Sequence, residues 1–155
     1  MDAPPLEALE PWLRGYLDRL SPREQGKVAR AIGAMLRKAN AERIRANVQP
    51  DGSPMEPRKA RKDRRGRIRN RKGKMFPRIA LARNLKVRTR PDEVEIAFAQ
   101  RIAGAASVHH FGLTAEVDPR IRHSIKVRYV ARRLLGFSPA DRQAIMDAAL
   151  GALEA

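Results

Sequence analysis

Residues Arg58 to Lys74 read RKARKDRRGRIRNRKGK, eleven Lys and Arg against the single acid Asp63. The cations are Arg58, Lys59, Arg61, Lys62, Arg64, Arg65, Arg67, Arg69, Arg71, Lys72 and Lys74. Side chains of this kind bind anions, either by neutralising phosphates and releasing their counterions or by pairing with the carboxylates of an acidic protein surface. Extended to Arg90, the stretch holds sixteen Lys and Arg and one acid, while the 17 basic and 16 acidic residues elsewhere nearly cancel. Almost all of the net +16 therefore sits in one segment. Self-repulsion and scarce apolar surface predict that it stays solvated when free and orders on contact with its target. Phe76 is the only aromatic between Arg58 and Arg90, which argues against base stacking on a single strand.

The other candidate groups are sparse. His109 and His110 are adjacent, so on a helix they point about 100° apart and do not converge on one ion, and no acid or cysteine stands at a ligand-like spacing. There are no cysteines, which excludes disulfides, thiolate metal sites and cysteine nucleophiles and fits a cytosolic folding environment. No nucleophile elbow, phosphate-binding Gly-rich loop, zinc-protease motif or paired carboxylates occur. The chain is read as a non-enzyme with no cofactor and no metal. Asp51 and Ser53 are expected to bond their own turn.

These groups must be carried by a body of 155 residues, enough for one domain with a proper core. The start, MDAPPLEALEPWL, lacks the cationic and apolar regions of a signal peptide, and no run reaches a membrane span of roughly 18 apolar residues, so a soluble intracellular product is expected. Leu6, Leu9, Leu13, Tyr16, Leu17 and Leu20 recur at helical spacing. Ser21-Pro22-Arg23-Glu24 is a capping box that opens a second helix, with Val28, Ile32, Met35, Leu36, Ala39 and Ile44 on one face. On that helix Arg23, Lys27, Arg30, Arg37, Lys38 and Arg45 are read as a solvated face. Pro50-Asp51-Gly52-Ser53-Pro54 is a turn. A short helix is expected after Pro77, a hairpin over Leu85–Arg90 and Val94–Phe98, a helix from Gln100 to His109 closed by Gly112, and a third strand within Ile121–Val130. Ser138-Pro139-Ala140-Asp141 caps a last helix bearing Ile145, Met146, Ala149, Leu150 and Leu153. The sum is an α+β fold: two N-terminal helices and a C-terminal helix on a small antiparallel sheet. It forms one domain over 1–155, with residues 50–78 a basic extended arm.

Several landmarks stand in an order that resembles the phage virion morphogenesis family, the S-type tail completion proteins of tailed phages and Mu-like prophages. They are Arg43-Ile44, Pro50-Asp51-Gly52-Ser53, Pro57-Arg58, Lys74-Met75-Phe76, Ile102-Ala103 leading to His109-His110-Phe111-Gly112-Leu113, and Tyr129 to Ser138 with Asp141. The resemblance implies a structural virion protein at the head-proximal end of the tail, assembled in the host cytoplasm, that completes the tail and helps join it to the head. It implies a cyclic ring of this chain, expected as a hexamer, touching the tail tube or terminator protein and the head–tail connector proteins, with packaged DNA in the channel and no membrane.

Two questions stay open at the level of sequence. Arg132 and Arg133, in the Tyr129–Phe137 block, fit either two-point bonds to the carboxylates of a subunit or partner, or a solvated loop entering the last helix. The basic arm fits either DNA phosphates or a neighbouring protein, and the second is favoured because a ring of such arms would retard DNA that must slide past. Composition alone supports a rival class, a basic nucleic-acid-binding regulator or ribosome-associated protein, as its pI near 11.4 would suggest.

Overall fold

A computed structural model describes residues 11, 14–15, 18–59, 61–62, 65–69, 75–152 and 154. The leucine stripe expected to form a first helix lies outside the described residues apart from Leu20. Among the described residues, helix α1 (Pro22–Ala46) is the central element. It starts where the sequence marks it: the Ser21 hydroxyl accepts from the Glu24 amide, the Glu24 carboxylate accepts from the Ser21 amide, and Pro22 occupies the first turn. It ends at Asn47, whose φ of 55° turns the chain out of the helix while its amide donates to the Arg43 and Ile44 carbonyls.

Strands β1 (Arg61–Lys62) and β2 (Ile68–Arg69) form a two-residue ladder inside the basic segment. Strands β3 (Leu85–Arg90) and β4 (Glu93–Phe98) form a regular hairpin, pairing Leu85 with Phe98 at one end and Arg90 with Glu93 at the other. Its face bearing Val87, Thr89 and Val94 lies against α1 at Gly33, where an added Cβ would come within 2.7 Å of Val87 Cγ1. Glycine is therefore used here for close approach of helix to sheet. Helix α2 (Gln100–Phe111) follows directly and stops at Gly112, φ 66°, where a Cβ would meet the Ala131 backbone nitrogen at 2.8 Å. Strands β5 (Thr114–Glu116) and β6 (Lys126–Arg128) make a further hairpin, and helix α3 (Pro139–Gly151) begins at the capping box of Ser138 and Asp141. The core gathers Ala41 and Ile44 of α1, Met55, Phe76, Ala80, Leu85, Ala106 of α2, and Leu134.

The α+β class holds, with three differences in detail. Among the described residues the strands form three separate two-stranded ladders instead of one sheet. The strand expected over Ile121–Val130 is confined to Lys126–Arg128 and pairs with β5, because residues 118–124 are turns: the Asp118 amide donates to Ser124 Oγ, and His123 takes a φ of 63°. Ile121 and Ile125 are left exposed, as is Leu150 on α3. The stretch after Pro77 is a chain of turns, since Asn84 donates its side-chain amide to the Arg78 carbonyl and its backbone amide to the Leu81 carbonyl. Among its described residues, the segment 50–78 is anchored at both ends. Pro50 and Met55 are buried at one end and Phe76 at the other, because each supplies apolar surface that the cationic stretch lacks.

Candidate functional site

The basic segment has a built root. Its entry is the turn after α1, where Val48 bridges Pro54 and the Asp51 carboxylate accepts from the Ser53 amide at 2.9 Å and from the Ser53 hydroxyl at 2.6 Å. Those bonds hold the Asp51 carboxyl below its usual range. Asp51 thus stabilises its own turn, as its position in sequence suggested. Arg58, Lys59, Arg65 and Arg67 are exposed, and Arg61, Lys62 and Arg69 lie in the β1–β2 ladder. Arg64, Arg71, Lys72 and Lys74 lie outside the described residues.

Among the described residues the Tyr129–Phe137 block lies in no strand, and several of its backbone amides are met singly. The Arg132 amide donates to the His109 carbonyl at 2.7 Å, and the Arg133 amide to Gln49 Oε1 at 2.9 Å. The Leu134 amide donates to His110 Nδ1 at 3.2 Å, and the Gly136 amide to Asn40 Oδ1 at 3.0 Å. Leu134, only 1% exposed, is thereby seated in the core. Buried Asn40 on the apolar side of α1 is explained by the same arrangement, since its Nδ2 also donates to the Leu36 carbonyl. Arg43 closes the far end: it donates to the Gly136 carbonyl at 2.9 Å and pairs with the largely buried Asp141 carboxylate at 2.7 Å.

The two arginines of the block part company. Arg132 is 4% exposed, and its guanidinium donates to the carbonyls of Glu56 at 2.7 Å, Pro57 at 3.2 Å and Val130 at 3.2 Å. It ties the block to Glu56 and Pro57, at the entry to the basic segment. Arg133 is exposed. His109 packs edge to face between Phe76 and Tyr129, at ring separations of 5.0 and 4.9 Å, and so secures the other end of the segment. Burial, then the charges of Arg132 and Arg58, push the His109 pKa down, while burial and Arg133 do so for His110. The acceptor role of His110 Nδ1 fits the neutral ring that this shift favours.

Reading from sequence gave Asp141 a capping role, weighed the histidines only as metal ligands, named Arg43 only as a landmark of the resemblance, and did not single out Asn40 or Gln49. Among the described residues no three His, Asp or Glu side chains gather as metal ligands, and no helix is long and apolar enough to cross a membrane. The arrangement anchors both ends of the cationic segment to one hydrogen-bonded seam.

An α+β body that presents such a segment suits a protein of assembly. Residues 5–154 match the phage virion morphogenesis family, and the chain belongs to that family. It is 34% identical over 145 residues to Tail completion protein S of Escherichia phage P2, a match spanning 92% of this chain and 93% of that one. No solved structure matches the chain.

Proposed function

We propose that this chain is a structural protein of the virion that completes the phage tail at its head-proximal end and helps join tail to head, working as a cyclic ring expected to be hexameric. The observation that carries this is the similarity to a tail completion protein along nearly the whole length of both chains. Outside the stretch 58–90 the net charge is only +1, so ring neighbours need not repel strongly. The contacts are the tail tube or terminator protein on one side and head–tail connector proteins on the other. Electron micrographs of particles from a host lacking the chain test the reading: unjoined heads and tails of abnormal length or end structure are expected, and normal complete particles would overturn it.

Within that role the basic segment grips carboxylates of a neighbouring protein. Arg58, Lys59, Arg61, Lys62, Arg64, Arg65, Arg67, Arg69, Arg71, Lys72 and Lys74 supply the charge, with Arg133 beside its root. Support comes from the rooted ends, which suit a fixed contact, and from the need for DNA to slide past a terminator that must stay bound. Limited trypsin digestion separates this from DNA or solvent. Cleavage between Arg58 and Lys74 should be rapid in the free subunit and blocked in finished tails, whereas equal rates in both would rule out the protein contact.

A further inference from the structure

The β3–β4 hairpin has two open edges of opposite charge. Among the described residues no strand pairs with the outer side of either β3 or β4, although an isolated two-stranded ladder gains little on its own and a six-residue open edge is a template for another strand. On the solvent face β3 displays Lys86, Arg88 and Arg90, whereas β4 displays Glu93 and Glu95. Within the hairpin Arg90 meets Glu93 at 2.9 Å and Arg88 meets Glu95 at 3.7 Å, both pairs largely exposed, and Lys86 lies opposite Ala97.

The outer side of β3 is also hollow. Two adjoining troughs of about 410 and 230 Å³ run along it between the strand and α1, sharing Arg30 and Thr89. Their α1 wall carries Arg23, Arg30 and Arg37, seven residues apart and so on one line of the helix, with Ala34 between them. Ala82 and Val87 add apolar surface, Lys86 and Arg90 add charge, and no acid lines either trough. The heptad of arginines, read from sequence as a solvated face, here borders a slot beside an unpaired strand. A slot with a strand edge and an apolar floor suits an extended peptide better than a nucleic-acid backbone, and its cations select an acidic one.

We propose that the occupant is β4 of a second copy of this chain, so that subunits join head to tail through one continuous antiparallel sheet. Charge sets the polarity. Two β3 edges side by side would oppose cations and two β4 edges would oppose acids, both unfavourable, whereas β4 beside β3 sets each glutamate between arginines of its own hairpin and of its neighbour. A contact that joins two different surfaces repeats around an axis, and it makes a ring where the rotation between copies closes and a filament where it does not. This inference rests on the ring reading above and adds which surface makes it.

The chain has no cysteine of its own, so single cysteines at exposed positions report the contact. Full-length R88C and E95C proteins are oxidised separately and mixed, in solution and on isolated tails, after melting curves confirm that each folds. Disulfide-linked dimers in the mixture alone are expected. As a second measurement, E93K/E95K and K86E/R88E should each weaken self-association at least about tenfold, and mixing the two should restore it. Rings that form without a mixed disulfide, or dimers in either variant alone, would overturn the edge contact while leaving the ring intact. Absence of rings from the unsubstituted chain in solution and on tails would remove both readings together.

Discussion

Replacing Arg132 by alanine should unfasten the root of the basic segment, and replacing Arg133 should not. Arg132 is buried and donates three bonds to carbonyls of Glu56, Pro57 and Val130. A bond from a charged donor contributes roughly 1.5–3 kcal/mol net. Two of the three are long at 3.2 Å, and Glu56 and Pro57 lie in an exposed stretch where water can replace the lost donor. The total is therefore placed at about 2–3 kcal/mol, not three full bonds. For a chain of this size each kcal/mol moves Tm by roughly 2–4 °C, giving a fall of about 5–10 °C for Arg132→Ala. Arg133→Ala removes an exposed side chain and keeps the backbone bond to Gln49, so about 0.5 kcal/mol or less is expected. Thermal unfolding followed by circular dichroism measures both, and trypsin should reach Arg58 sooner in the Arg132 variant. Equal melting temperatures for the two variants would refute the clamp.

Three further outcomes follow from the packing. Arg43→Ala strands the Asp141 carboxylate beneath the block and should cost about 3 kcal/mol in urea unfolding, more than any exposed arginine of α1. Gly33→Ala should destabilise in spite of better helix propensity, because its Cβ meets Val87 at 2.7 Å, whereas Gly26→Ala, whose nearest neighbour is the flexible end of Arg30 at 3.4 Å, should be neutral or stabilising by up to about 1 kcal/mol. Both His109 and His110 have native pKa values below their ordinary 6.5, so the unfolded chain takes up their protons first. Stability should be insensitive to these rings above that pH and fall as pH drops below it, down to the native values, and His109→Phe should flatten part of that loss in melts between pH 7.5 and 5.

What could be read from the sequence was what local chemistry decides. Ser21 and Ser138 announce their helices because a hydroxyl, a proline and an acid within four residues complete each cap. The β3–β4 hairpin follows from strict alternation on both sides of Pro91-Asp92, and Gly112 from the left-handed turn that ends α2. The seam that carries the site is different in kind. Arg43 and Gly136 lie 93 residues apart, and Asn40 and Gly136 lie 96 apart. No periodicity marks a backbone whose amides are met by side chains from α1, Gln49 and α2, so Tyr129–Phe137 reads only as a loop. Alternation misled at Ile121–Val130 because a turn at His123 interrupts the strand, and apolar content misled after Pro77, where Asn84 ties off each turn. Arg132 and Arg133 look equivalent in sequence, and only the fold buries one and exposes the other.

The place proposed for this chain is the end of the tail that meets the head. A reconstruction of the neck of the finished particle, into which the described residues are fitted, tests it most directly. A ring of this chain closing the head-proximal end of the tube is expected, with the 58–74 segment ordered against a neighbouring protein. A neck that contains no copy of the chain, or a single copy off the axis, would contradict it.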